Sequence, residues 1–275
     1  MWTLSGFVDE IDADFATQCR VASELGLGYV EIRSAWGTNV LDLDDAQLEA
    51  VRRQLEASGL RVSSIGSPIG KIKIEDDFAP HLERMRHAAD VARLLGAPFI
   101  RIFSFFIDTA DDPDAHRDEV LRRMRALAEV AEQADVVLLH ENEKEIYGDV
   151  PRRCHEIVEA VGSPHLRLAW DPANFVQVGV RPFDEGYALL RPDVVYMQIK
   201  DALAADGSVV VAGAGDGQLV ETVRALRDDG FDGFFSLEPH LALAGTHGGF
   251  SGADLFTQAW RAFTDLLTEE GIAYA

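Results

Sequence analysis

Two cysteines in 275 residues are too few for a disulfide framework, and their placement removes the other common use of the residue. Cys19 and Cys154 lie far apart in segments of helical period, without the close spacing of a zinc site. A reducing, cytoplasmic setting is expected on that ground. No apolar run reaches the roughly 18 residues of a membrane span. The opening MWTLSGFVDEID is too acidic and too poor in apolar residues for a secretory leader. Basic residues are also scarce: 25 Lys and Arg stand against 47 Asp and Glu, a formal net charge of −22. Nucleic acid is disfavoured as a partner, because phosphate binding rests on clustered Lys and Arg. A small anion needs only one or two local basic groups and is not excluded, while the diffuse acidity reads as a solubility feature. Internal repeats and low-complexity segments are missing, and no GxGxxG turn follows the first apolar run.

What is present is a rhythm. Short apolar or β-branched runs alternate with longer stretches of helical period, each pair punctuated by Gly, Pro or Asp. The strands are expected at WTLSGFV, GYVEIR, LRVSSIGS, PFIRIFSFF, VVLLHEN, LRLAWD, VVYMQIK and FFSLE. Helices are expected at about 14–25, 44–58, 78–95, 113–134, 151–161, 183–190, 218–229 and 253–267. Such alternation implies parallel strands joined by right-handed crossovers. An open doubly wound sheet would carry a glycine-rich first turn. Eight units within residues 1–275, with no domain-scale linker, fit a single-domain α/β fold of the closed (β/α)8 barrel, or TIM barrel, type.

In such a barrel the chemistry gathers at the C-terminal strand ends. Strand two ends in Glu31 and Arg33, the loop after strand three carries Lys71, and strand four carries Arg101. Strand five ends with His140, Glu141 and Glu143, strand six with Asp171, strand seven with Gln198 and Lys200, and strand eight with Glu238 and His240. Any one of these alone is ordinarily a solvated loop residue, a helix cap or a surface ion pair. Four successive strands ending in a metal-type ligand is a different matter. Carboxylates converging from strands five, six and eight would repel one another, and a divalent cation relieves that repulsion. An oxygen-rich set favours Mn²⁺ or Mg²⁺, with Zn²⁺ or Co²⁺ as alternatives.

The segments HENE (140–143), WDPANF (170–175), QIKDA (198–202) and GAGDGQLVETVRALRDDGFDGFFSLEPH (213–240) resemble the xylose isomerase-like TIM barrels of the sugar phosphate isomerase/epimerase superfamily. The likeness spans essentially the whole chain. It implies one divalent metal held by Glu141, Asp171, Gln198 and Glu238, with Glu141 and Glu238 moving a proton on either face of a sugar carbon. Gln198 stands where that family usually has His, and Asn174 stands where its epimerases often have a substrate-polarising His. An amide can ligate a hard ion but cannot act as acid or base. Lys200, His240, Lys71, Arg101 and Asn174 become candidate substrate contacts, the lysine and arginine at 71 and 101 equally readable as ion-pair partners of nearby acids. Asp201 is expected to orient Lys200 or to start the following loop.

The resemblance therefore implies a metal-dependent sugar or sugar phosphate isomerase or epimerase working through an enediolate. A lyase or dehydratase on a keto-inositol or 3-keto sugar shares its first proton abstraction and ranks second. An enzyme relic that only binds sugar is the third reading, since Gln198 departs from the pattern. A DNA endonuclease of the same fold is disfavoured by the charge and by the missing His ligands. The expected partner is a small carbohydrate, with neither nucleic acid nor membrane; homodimers and homotetramers are common among proteins of this kind.

Overall fold

Local chemistry starts and stops the elements close to where the sequence places them. Helix α2 (Asp45–Ser58) opens on a capping box formed by Asp44 and Gln47 and ends at Gly59, whose φ of 68° suits a residue without Cβ. Its buried residues are the periodic Leu48, Val51 and Leu55. Helix α3 (Phe78–Leu95) starts at the Asp77 cap and stops in the same left-handed way at Gly96. The remaining helices are α1 (Phe15–Glu24), α4 (Arg117–Ala134), α5 (Pro151–Val161), α6 (Pro172–Gln177), α7 (Leu219–Asp228) and α8 (Ala253–Glu269). The structure, a computed structural model, describes residues 1–245 and 248–275.

Eight strands alternate with these helices: β1 (Thr3–Gly6), β2 (Tyr29–Ile32), β3 (Arg61–Gly66), β4 (Phe99–Ile102), β5 (Val137–Glu141), β6 (Leu166–Trp170), β7 (Val194–Ile199) and β8 (Phe234–Leu237). All neighbours are parallel, in the order β1-β8-β7-β6-β5-β4-β3-β2. A parallel bridge between Phe7 and Glu31 draws β1 towards β2, so the sheet is a nearly closed (β/α)8 barrel. The expected strand four is shorter than PFIRIFSFF, because the chain leaves the sheet at Phe103 and Phe105 adopts φ 70°. The sixth unit also differs. Asp171 caps α6 directly after β6, and the segment expected to be helix instead holds a π-helical turn, Pro182–Tyr187, leading into Ala188–Leu190.

The barrel interior is layered, as strand alternation requires. Phe99, Tyr196 and Phe234 form an aromatic layer with ring centroids 5.7–6.0 Å apart. Above it lies a polar layer centred on Glu31. Its Oε2 accepts from the Ser236 hydroxyl at 2.8 Å, the Tyr196 hydroxyl at 3.0 Å and the Gln198 amide at 3.2 Å. The next level up is the mouth of the barrel.

Candidate functional site

The register of β7 against β8 sets the geometry of the mouth. Ser236 faces Gln198 and Leu237 faces Ile199, so the next pair outward is Glu238 beside Lys200. Glu141 ends β5, and Asp171 follows β6. Carboxylate oxygens of Glu141, Asp171 and Glu238 all lie within 4.8 Å of one another, and all three residues are buried. Three strand ends distant in sequence are thus brought to one point.

Buried basic groups interleave with these carboxylates. Lys200 Nζ lies 2.7 Å from Asp171 Oδ2 and 3.2 Å from Glu238 Oε2. One nitrogen of Arg101 sits 3.3 Å from Glu141 and 3.4 Å from Glu238, while Arg33 reaches Glu238 at 3.0 Å. Both guanidinium groups rest on the Phe7 ring, 4.5 and 4.7 Å from its centroid. Arg33 is fixed from behind by Asp9 at 2.8 Å. His240 closes the ring of contacts, with Nε2 3.3 Å from Glu10 and 3.4 Å from Glu238. Its backbone is left-handed, at φ 47°, and its N–H donates to Glu10 at 2.8 Å.

The environments push these carboxyls apart. Burial raises Glu141 to about 8, against the pull of Arg101, and raises Asp171 to about 6, against Lys200. Burial acts on Glu238 too, but Lys200, His240 and Arg101 overcome it and hold that carboxyl well below its usual range. Neighbouring carboxyls held at different acidities are the arrangement that acid–base chemistry uses.

Other expected residues fall into place or move aside. Asn174 is buried beside the cluster; its side-chain amide donates to the Asn142 carbonyl at 2.9 Å and to Glu141 at 3.4 Å. Lys71 is near Glu143, at 3.5 Å, and over the Phe103 ring, at 4.3 Å. Gln198 sits one layer below the carboxylates, its amide nitrogen turned to Glu31 and its Oε1 buried without a hydrogen-bond partner. Asp201 does not orient Lys200. Its carboxylate instead accepts from the backbone N–H groups of Gly213, Gly215, Gly217 and Ala202 at 2.8–3.1 Å. Burial raises Asp201 while those four donors pull it down. Arg33, Asp9 and Glu10 complete the site without having been proposed as part of it. Arg33 was visible as a strand end; Asp9 and Glu10 follow β1 in an apparent loop, FVDEID, whose position over the barrel only closure reveals.

The family model described as "Xylose isomerase-like TIM barrel" matches residues 19–262. A 2-epi-5-epi-valiolone 7-phosphate 2-epimerase from Actinoplanes sp. is 31% identical over 214 residues, covering 77% of each chain. A 3-dehydroshikimate dehydratase from Bacillus anthracis is 25% identical over 195 residues, covering 70% of this chain and 68% of that one. Among solved structures, a xylose isomerase-like TIM barrel protein of Mycobacterium smegmatis in complex with magnesium superposes with a TM-score of 0.74 at 20% identity, over 98% of this chain and 97% of that one. The present chain belongs to the xylose isomerase-like TIM barrel family.

Proposed function

We propose that the barrel mouth is the active site of a divalent-metal-dependent sugar isomerase or epimerase that moves a proton next to a carbonyl. The observation that carries this reading is the convergence of the buried carboxylates of Glu141, Asp171 and Glu238 within 4.8 Å. The residues fit a hard cation. All three donors are carboxylates, and the Gln198 amide oxygen is a further buried acceptor in want of a partner. Mn²⁺ or Mg²⁺ bound there would stabilise negative charge developing on the substrate oxygen.

The chain's own groups do the rest. Glu238, held ionised, takes the proton from the carbon beside the carbonyl, and Glu141, at the end of β5, serves the other face of that carbon. Lys200 and Arg101 lie against the same carboxylates and can donate to substrate oxygens as charge develops. The Bacillus dehydratase supports a second reading, since dehydration begins with the same abstraction. The buried, unpaired thiols of Cys19 and Cys154 suit a reducing compartment.

Incubation of a ketose panel in deuterated water with Mn²⁺ tests the proposal. Deuterium should enter at the carbon next to the carbonyl, and Glu238→Gln should slow entry by at least about a hundredfold. Metal analysis should return one ion per chain, lost in Asp171→Asn. Absence of bound metal under Mn²⁺-replete conditions, with no thermal protection by Mn²⁺ or Mg²⁺, would sink the metalloenzyme reading.

A further inference from the structure

TIM barrels that bind phosphorylated substrates frequently hold the phosphate on backbone N–H groups of the loops after strands seven and eight. This chain has a glycine-rich segment at that place, GAGDGQ at 213–218, between β7 and α7. The N–H groups of its three glycines are already engaged. Those of Gly213 and Gly215 donate to Asp201 Oδ2 at 3.0 and 3.1 Å, and that of Gly217 donates to Oδ1 at 2.8 Å. The Ala202 N–H adds a fourth, at 2.9 Å. Asp201 is wholly buried, and a Cβ built at Gly215 or Gly217 would fall 2.4 or 2.6 Å from its Oδ1. The loop is an anion cradle wrapped around an anion of its own.

The cations of the mouth are engaged as well. Arg33, Arg101 and Lys200 each lie within 3.4 Å of Glu238, and Lys71 lies 3.5 Å from Glu143. Beyond β3, β4 and β5 opens a cleft of about 710 Å³, whose charged lining is Lys73 against Glu75, Asp108, Asp111 and Glu145. An approaching anion meets a rim of its own sign.

We propose that the substrate is an uncharged polyhydroxylated carbonyl compound, a free sugar or cyclic keto-polyol bearing neither phosphate nor carboxylate. This inference rests on the isomerase/epimerase reading of the same mouth. Hydroxyl groups suit the site because they can both donate to the carboxylates and accept from Lys200 and Arg101.

Paired substrates, each free sugar beside its phosphate ester, test the inference in the Mn²⁺-loaded protein by solvent deuterium wash-in. The free member should exchange with kcat/KM at least about tenfold higher. Higher kcat/KM for the phosphorylated members overturns the inference while leaving the isomerase reading intact. Exchange in neither series overturns the isomerase reading, and the charge argument is then decided by binding. Calorimetric titration with inorganic phosphate should show no saturable binding to the wild type, and saturable binding refutes the self-filled cradle. Asp201→Ala, which vacates the cradle, should gain thermal protection by inorganic phosphate that the wild type lacks. Equal protection of both proteins counts against the inference.

Discussion

Gln198 shows what a single residue can and cannot disclose from sequence. That it faces the barrel interior follows from strand alternation, and the structure buries it completely. That its amide nitrogen turns to Glu31 could not be read, because the contact joins residues 167 positions apart and exists only once the barrel has closed. Lys200 is the converse case. Its place at a strand end marks it as a candidate substrate contact, yet the ammonium sits between Asp171 and Glu238. Lys200→Met therefore leaves two buried carboxylates without their main counter-charge. Breaking a buried pair in this way costs about 3–5 kcal/mol. Thermal unfolding in EDTA should show the full loss, and excess Mn²⁺ should return part of it, since a bound cation replaces the missing charge. A variant as stable as wild type in EDTA would show that Lys200 does not neutralise the cluster.

At the scale of elements, most boundaries were legible because they depend on local rules: the Asp44 capping box, the Asp77 cap, and the glycines at 59 and 96. The sixth unit was not, because Asp171 serves both as a strand end and as the cap of α6, which shifts the helix forward to Pro172. A second junction joins α3 to the loop after β3. His81 on α3 is buried, and its Nε2 accepts the Gly70 N–H at 2.7 Å, which requires the neutral ring. Burial, with Arg84 and Arg123, lowers His81 from 6.5 to about 4. The unfolded chain thus takes up the proton first as the solution acidifies. The contribution is fully present above about pH 6.5 and is lost as pH falls towards 4, amounting to roughly 2–3 kcal/mol. His81→Gln retains an acceptor for Gly70 but does not titrate. Denaturant midpoints for wild type and variant should lie close together at neutral pH and part as pH falls towards 4, where wild type becomes the less stable of the two. Parallel curves across that window would remove His81 from the account.

At the scale of the whole molecule the question is how a sheet of eight strands closes. The alternation of elements predicts a barrel but says nothing about the seam, and the seam is where this chain is particular. Between β1 and β2 the described contacts give one bridge, Phe7 to Glu31, in place of a ladder. Further down β1, residues 273–275 take the position of a neighbour. The Trp2 N–H donates to the Ala273 carbonyl at 2.9 Å, the Leu4 N–H donates to Ala275 O at 2.9 Å, and the Ala275 N–H donates to the Trp2 carbonyl at 2.8 Å. Trp2 is held on its other side by stacking on Phe235, with centroids 4.1 Å apart, and by its indole N–H to the Phe231 carbonyl at 2.8 Å. Deleting residues 273–275 strips three backbone hydrogen bonds from β1 and opens its edge to water, at about 1 kcal/mol for each bond. For a chain of this size that corresponds to a fall in Tm of roughly 6–12 °C. The carboxylate cluster stands at the opposite end of the strands, so Mn²⁺ affinity measured below the new Tm should stay within about threefold of wild type. Amide exchange should quicken at Trp2 and Leu4 before it does in the ladder of β5 and β6, since the seam then becomes the weakest edge of the barrel. An unchanged Tm would mean that β1 is held by β8 alone, with residues 273–275 resting on the barrel without supporting it.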